Sequence, residues 1–311
     1  MGLTVALAGG VGGAKLARGL AKLLPPSKLM IIGNTGDDLE LHGLHISPDL
    51  DILTYTLAGI VDEAKGWGIA KDTFNCLETL EKLGAETWFK LGDRDLAIHM
   101  QRTNMLRNGL TLSQATQKLC RKLNVKAKII PMSNDPVPTK IISGTRTLDF
   151  QEYFVKNRTR DKVTDVVYAG AEKAEPTPGI IEAIRTAERI VLCPSNPILS
   201  IGPILAINPI RKELTKTKAL VIGVSPLVAG KTLKGPADRI LKSLGHRASA
   251  LGVAELYKDF LSHFIIDEAD KKEQPQIEQL NIKVTVTNTI MKNAADSVRL
   301  AETVLSVTRA L

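Results

Sequence analysis

Residues 3–8 form a short apolar run, Gly9-Gly10-Val11-Gly12-Gly13 places four glycines in five residues, and Ala14-Lys15-Leu16-Ala17-Arg18-Gly19-Leu20 has helical spacing. Strand, glycine turn and amphipathic helix in this order form the opening unit of an α/β sheet that binds an anion. Glycine lets the backbone approach a ligand, and the positive end of the helix dipole faces the same point. Gly9, Gly10, Gly12 and Gly13 are therefore candidate phosphate-binding positions.

The loop departs from both common nucleotide fingerprints. A Walker loop needs Gly-Lys followed by Ser or Thr, whereas Ala14 precedes Lys15 and Leu16 follows it, so no hydroxyl stands ready for magnesium. A dinucleotide fold wants a third glycine three residues after Gly12, where Lys15 stands, and this disfavours a nicotinamide oxidoreductase. A tight turn without a ligand is the plainer alternative. Four glycines beside a lysine favour the anion.

Short, nearly uncharged apolar runs recur at residues 3–8, 29–32, 166–169, 190–193 and 220–224, separated by helical patterns. Parallel strands covered on both faces read this way. The fold class expected is α/β: a doubly wound, mainly parallel Rossmann-like sheet. Residues 49–123 read as a mostly helical insertion, with Thr111 and Gln114 forming a capping box. Residues 126–154, with Lys128-Ile129-Ile130, Thr139-Lys140-Ile141-Ile142 and Thr147-Leu148-Asp149-Phe150 between turn residues, predict a few short antiparallel strands. Residues 293–311 predict a closing helix. No repeat or linker interrupts the chain, so one α/β domain over 1–311 is expected.

A net charge of +8 over 311 residues suits anionic ligands, while 4% aromatics and the lack of a basic run argue against nucleic acid. Cys76, Cys120 and Cys193 are odd in number and far apart, which suggests neither disulfides nor a thiolate metal site. With no basic leader and no long apolar stretch, a cytoplasmic protein without a membrane partner is expected. A symmetric homodimer is the default assembly.

Polar residues concentrate where strands end, the place open α/β sheets bind ligands. Gly33-Asn34-Thr35-Gly36-Asp37-Asp38 offers hard oxygen ligands for magnesium, and Asp49 and Asp51 follow Pro48 at a predicted helix start. Turn formation and helix capping use the same residue types. Lys90-Leu91-Gly92-Asp93-Arg94-Asp95-Leu96-Ala97-Ile98-His99 is the densest polar cluster. Asp95, His99 and Arg102 fall on one helical face, read either as an anion and substrate wall or as a solvated surface. Pro131-Met132-Ser133-Asn134-Asp135-Pro136, Cys193-Pro194-Ser195-Asn196-Pro197 and Ser225-Pro226 are three more loops that suit either a ligand or a turn.

These blocks resemble the 2-phospho-L-lactate transferases that make the deazaflavin coenzyme factor 420. The resemblance rests on Gly9 through Leu16, Asn34-Thr35-Gly36-Asp37-Asp38, Ser47-Pro48-Asp49-Leu50-Asp51, Gly66-Trp67-Gly68, Leu91-Gly92-Asp93-Arg94-Asp95, Pro194-Ser195-Asn196-Pro197 and Ile201-Gly202-Pro203-Ile204. It runs from residue 3 to about 257. It implies transfer of a 2-phospholactyl group from lactyl diphosphoguanosine to the ribityl hydroxyl of the deazaflavin Fo, with release of GMP and with Mg2+ as cofactor. Some bacterial relatives use an enolpyruvyl donor.

Carried onto this sequence, the resemblance makes Asp37 and Asp51 metal ligands, with Asp51 also facing the acceptor hydroxyl. Lys90 belongs to the Fo site, and Gly9 through Gly13 hold donor phosphates. Ser133, Asp135, Ser195 and Asn196 lie at the guanosine end, and Asp93 and His99 join the substrate-binding set. Transfer from a diphosphate needs alignment of the hydroxyl and neutralisation of spreading charge, for which Lys15, Arg94 and the metal are the candidates. Asp51 orients or deprotonates the hydroxyl, and a metal-lowered hydroxyl pKa is the equal alternative. Trp67 and Trp88 are the candidate stacking platforms for the deazaflavin. The alternative function is a sugar-nucleotide-binding regulator of bacterial cell shape, a related group that shares the glycine loop but not the block 92–99.

Overall fold

A computed structural model describes residues 2–308 of the chain. Strand β1 (Thr4–Ala8) runs through Gly9 into α1 (Gly10–Leu23) and returns as β2 (Leu29–Gly33). A small hairpin, β3 (Leu39–Leu41) and β4 (Leu44–Ile46), precedes helices α2 (Pro48–Ala58), α3 (Asn75–Lys82), α4 (Asp93–Arg107) and α5 (Leu112–Lys122). Then come β5 (Lys128–Pro131), β6 (Thr139–Ser143), β7 (Arg146–Asp149) and β8 (Asp165–Tyr168). The chain continues through α6 (Ile180–Thr186), β9 (Arg189–Leu192), α7 (Ile201–Ala206), α8 (Ile210–Lys216) and β10 (Leu220–Val224). After the hairpin β11 (Leu227–Val228) and β12 (Lys231–Thr232) follow α9 (Ala237–Ser243), α10 (Ala250–Tyr257), β13 (His263–Asp267), α11 (Gln274–Glu278), β14 (Lys283–Thr287) and α12 (Ala294–Ser306).

Seven strands form one parallel sheet in the order β14-β13-β10-β9-β1-β2-β5. Every residue of β1, β2, β10 and β13 is buried, because helices cover both faces. One apolar cluster joins the sheet to α1, α2, α5 and α12, with Leu16, Leu20, Leu53 and Leu300 fully or almost fully enclosed. The other joins it to α6 through α11 and is centred on Ile184, Ile204, Ile240 and Phe264. Each such side chain contributes about 1.5–3 kcal/mol over its exposed state, so the two layers set the strand order. From β1 the chain moves to β2 on one side, and from β9 to β10 on the other. The crevice between the C-terminal ends of β1 and β9 is thus the topological switch point.

The expected class and several elements match: the parallel sheet, the helices within 49–123, the Thr111–Gln114 capping box, and a closing helix over Ala294–Ser306. Residues 309–311 of that predicted span lie outside the described residues. Two expectations need correction. The run at 166–169 is not a sheet strand: β8 pairs antiparallel with β6 in a separate three-stranded sheet, β7-β6-β8. Its residues alternate in exposure, as a strand with one wet face does, and Val167 is 43% exposed. Conversely, Lys128-Ile129-Ile130 is the parallel edge strand beside β2 rather than part of the antiparallel group. Strands β13 and β14 were not anticipated: β13 carries only three consecutive apolar residues between His263 and Asp267, and β14 alternates as an edge strand does. Among the described residues, no helix is long and apolar enough to cross a membrane.

Candidate active site

At the switch point the ends of β1 and β9 are tied by one side chain. Ser195 Oγ donates to the Gly9 carbonyl at 2.8 Å and accepts the Gly9 N–H at 3.1 Å. Helix α1 then begins without a capping side chain of its own. Its Gly10 N–H donates instead to Asp49 Oδ1 at 2.6 Å, from the first turn of α2. Gly10 has φ +66°, a conformation glycine adopts without penalty, and a Cβ on Gly9 would collide with the Asp49 carboxylate. The amide end of α1 therefore already holds one anion, a carboxylate supplied by its own chain.

Asp49 lies among further buried acids. Asn34 Nδ2 bridges Asp49 Oδ2 at 2.9 Å and Asp37 Oδ1 at 3.2 Å, and Gln151 Nε2 donates to Asp37 Oδ2 at 3.3 Å. Ser47 Oγ donates to Asp38 Oδ2 at 2.7 Å, with His45 Nε2 at 3.1 Å from the same oxygen. Burial, reinforced by Asp49 and Asp38, holds the Asp37 carboxyl well above the usual carboxylate range. Burial likewise raises Asp38, although His45 and Ser47 oppose it. Asp49 is pushed up to about 6 by burial, against the hydrogen bonds from Asn34 and Gly10. Three neighbouring carboxyls raised together mark a site short of positive charge.

Asp51, on the same turn of α2, is satisfied differently. Arg102 of α4 grips it with both terminal nitrogens, Nη1 at 3.1 Å from Oδ2 and Nη2 close to Oδ1. Burial pulls the Arg102 pKa down, but the Asp51 carboxylate outweighs it and holds the guanidinium charged above its usual range. His99 Nδ1 lies 3.2 Å from Arg102 Nη1 and 3.7 Å from Asp51, while His99 Nε2 lies 3.2 Å from Asp95 Oδ1. Tyr55 closes the row by donating to Asp95 at 2.5 Å. The face of α4 carrying Asp95, His99 and Arg102 is thus real, but it is turned inward onto Asp51. These three side chains are buried, so the face is not a solvated surface.

The remaining candidates are spread around this centre. Lys15 Nζ donates to the Met291 carbonyl at 2.7 Å, and burial followed by the nearby Lys234 and Arg18 lowers its pKa. Arg94 is exposed and donates to the Ala70 carbonyl, and Lys90 is exposed. Asp93 accepts bonds from Thr73, Asn75 and Cys76 at the start of α3, and these hold its carboxyl at about 2. Ser133 Oγ donates to the Glu175 carbonyl at 2.5 Å and Asp135 accepts the Glu175 N–H at 2.9 Å. Asn196 accepts the N–H groups of Ile198 and Leu199. In this state the side chains of Asp93, Ser133, Asp135 and Asn196 do turn and cap chemistry. Ser195 alone of the guanosine-end candidates touches the glycine loop.

Residues beyond the expected set enter as well. Arg102 was legible only as an i+3 neighbour of His99, and Gln151 carried no signal because 114 residues separate it from Asp37. Among the described residues no group of three or more His, Cys, Asp or Glu side chains forms a ready metal cage. The donor set still fits magnesium in part. It favours one or two carboxylates completed by substrate oxygens, and Asp37 lacks a cationic partner whereas Asp51 already has one.

Residues 4–305 match the family model described as 2-phospho-L-lactate transferase CofD. The chain is 38% identical over 301 residues to the 2-phospho-L-lactate transferase of Methanosarcina mazei, covering 97% of this chain and 99% of that one. It is 39% identical over 310 residues to the phosphoenolpyruvate transferase of Kitasatospora aureofaciens, covering 97% of each. The crystal structure of protein BH3568 from Bacillus halodurans superimposes with a TM-score of 0.67 over 98% of this chain and 99% of that one, at 14% identity. That likeness concerns the fold alone.

Proposed function

The chain belongs to the 2-phospho-L-lactate transferase family, and from that premise we propose that it moves a 2-phospholactyl group from lactyl diphosphoguanosine to the ribityl hydroxyl of Fo. In this reading the acceptor oxygen forms a bond to the lactyl-bearing phosphorus as the bond to the GMP oxygen breaks. The hydroxyl loses its proton and GMP departs. The observation that carries the reading is the glycine start of α1, capped only by Asp49 of α2, beside buried acids short of a cation at the switch point of the sheet.

Asp49 Oδ1 on the Gly10 amide marks where an anion sits, so the amides of Gly9 through Gly13 are the proposed seat of the donor phosphates. Asp37 is the proposed magnesium ligand, with Asp51 second once Arg102 releases one of its oxygens. Bound there, the ion would offset charge on the diphosphate and lower the pKa of the hydroxyl. Asp51, held by Arg102, is the group proposed to orient the acceptor. Lys15 and Arg94 stay in the proposal as cations that turn toward the donor on binding. Lys90 is kept for Fo, and Ser195 and Asn196, with Ser133 and Asp135, for guanosine.

An enolpyruvyl donor is the second reading, favoured by the 39% identity to the Kitasatospora relative. The test is mass spectrometry of the purified protein with Fo, magnesium and either donor, beside a chelator control. Metal-dependent phospholactyl-Fo and GMP is the expected result. Product only with the enolpyruvyl donor would replace the donor, and no product with either would refute the transfer.

A further inference from the structure

At the end of the sheet opposite the crevice, a groove of about 460 Å3 crosses the first residues of β10, β13 and β14, which are Leu220, His263 and Lys283. That volume suits a small metabolite. His263 lines the groove while only 9% exposed, and its Nε2 lies 2.8 Å from Thr285 Oγ1. Its Nδ1 is buried with no hydrogen-bond partner among the described residues. A buried nitrogen left unpaired costs about 1–3 kcal/mol, so a histidine held here calls for a partner from outside the chain. Burial, followed by the nearby Lys283, lowers the His263 pKa, and a neutral ring keeps one N–H. With the Thr285 hydroxyl donating to Nε2, that N–H is on Nδ1.

The charge around His263 is positive, the reverse of the crowded acids in the crevice. Lys258 and Lys283 both line the groove and are exposed, and no ion pair among the described residues engages either. The one acid of the lining, Asp259, is already gripped by Arg211 at 2.6 and 2.9 Å. Lys216 and Lys218 stand on either side of the lining residue Thr217 and add to the same field. Ser262 Oγ accepts the Val221 N–H at 3.0 Å, which leaves its own O–H to donate, and Asn281 brings an amide. Two ammonium groups with no unpaired acid between them match a dianion. The groove is far larger than a bare phosphate, so the anion needs a body.

We propose that this groove is a second ligand site, separate from the transfer crevice, for a phosphate monoester with a small polar body: Lys258 and Lys283 hold the phosphate, Ser262 and His263 donate to the ligand, and Asn281 meets the body. None of these residues belongs to the crevice, so the site stands or falls independently of the transfer reading.

The test is nitrogen NMR of the histidine rings in the full chain during titration with ribose 5-phosphate, inorganic phosphate and ribose. His263 is one of five histidines, and His263→Gln identifies its signal. The signal is expected to move saturably with ribose 5-phosphate, with a Kd below about 1 mM. Inorganic phosphate should bind about tenfold more weakly, and ribose should have no effect. By calorimetry, which does not depend on the His263 variant folding, Lys258→Gln and Lys283→Gln should each weaken the ester about threefold to tenfold, and Lys283→Arg should keep most of the binding. His45 and His99 report on the crevice. If their signals move and that of His263 does not, or if both glutamine variants bind the ester as the wild type does, the groove is overturned as a site. Inorganic phosphate binding as tightly as the ester would overturn the assignment of a monoester.

Discussion

Asp49 and Asp51 leave the same turn of α2 two residues apart, yet they meet opposite environments. Asp51 is held on both oxygens by a buried arginine, which in turn contacts His99. Asp49, with Asp37 across the Asn34 amide, has only neutral donors, and both carboxyls are raised by burial. The paired side is complete as it stands. The unpaired side carries its carboxyls at a cost in stability, because burial disfavours their charged forms. One half of the crevice is therefore paired within the chain, and the other half crowds carboxyls that no cation among the described residues offsets.

The largest break in this comparison should come from Arg102→Gln, which leaves Asp51 buried without its partner. A loss of about 3–5 kcal/mol is expected in urea unfolding. Arg102→Lys should recover little of it, since one ammonium cannot match a two-pronged grip. Adding Asp51→Asn to Arg102→Gln should restore much of the stability. A stable Arg102→Gln single variant would show that the pair carries no scaffold role.

Asp37→Asn should act in the reverse sense. Removing one of the crowded carboxylates should leave stability unchanged or improved, while turnover falls by about a hundredfold or more. Unfolding midpoints and GMP release, measured on the same preparation, check both halves. A variant that keeps near-normal turnover would remove Asp37 from the site.

The unpaired side should also show in pH. A carboxyl raised to about 6 keeps its proton after the unfolded chain has lost it. This group should therefore make metal-free protein lose stability as pH rises from about 4 to about 6, by roughly 3 kcal/mol. Asp49→Asn should make that slope shallower, the rest being carried by Asp37 and Asp38, whose carboxyls burial also raises. A slope unchanged by the substitution would assign it wholly to those groups.

The smallest effect is expected where a helix end is satisfied by its own sequence. Thr111 caps α5 through a reciprocal capping box, unlike the start of α1, which depends on Asp49. Thr111→Ala should cost about 1 kcal/mol and leave turnover alone. A drop in activity would show that α5 transmits to the crevice.

What the sequence by itself determined was whatever depends on near neighbours. Alternation and apolar runs placed β1, β2 and β10, the Thr111 and Gln114 spacing placed the start of α5, and the glycine block marked the turn into α1. Asp95, His99 and Arg102 were legible as one face because a helix brings i, i+4 and i+7 together. Which way that face looks was not legible. Its inward turn depends on Asp51, 51 residues before Arg102, and no local pattern reports a contact of that range.

The same limit governed the strands. Residues 166–169 are as apolar as a sheet strand, and only their pairing with β6 decided that one face would be wet. β13, with three apolar residues in a row, became a core strand because β10 and β14 flank it. Tertiary structure alone decided which carboxylates have a cation, because burial and pairing are set by the residues that pack around a group and not by those beside it in the chain. Asp49 and Asp51 read alike as helix-start acids, and packing gave one an arginine and left the other capping a helix amide.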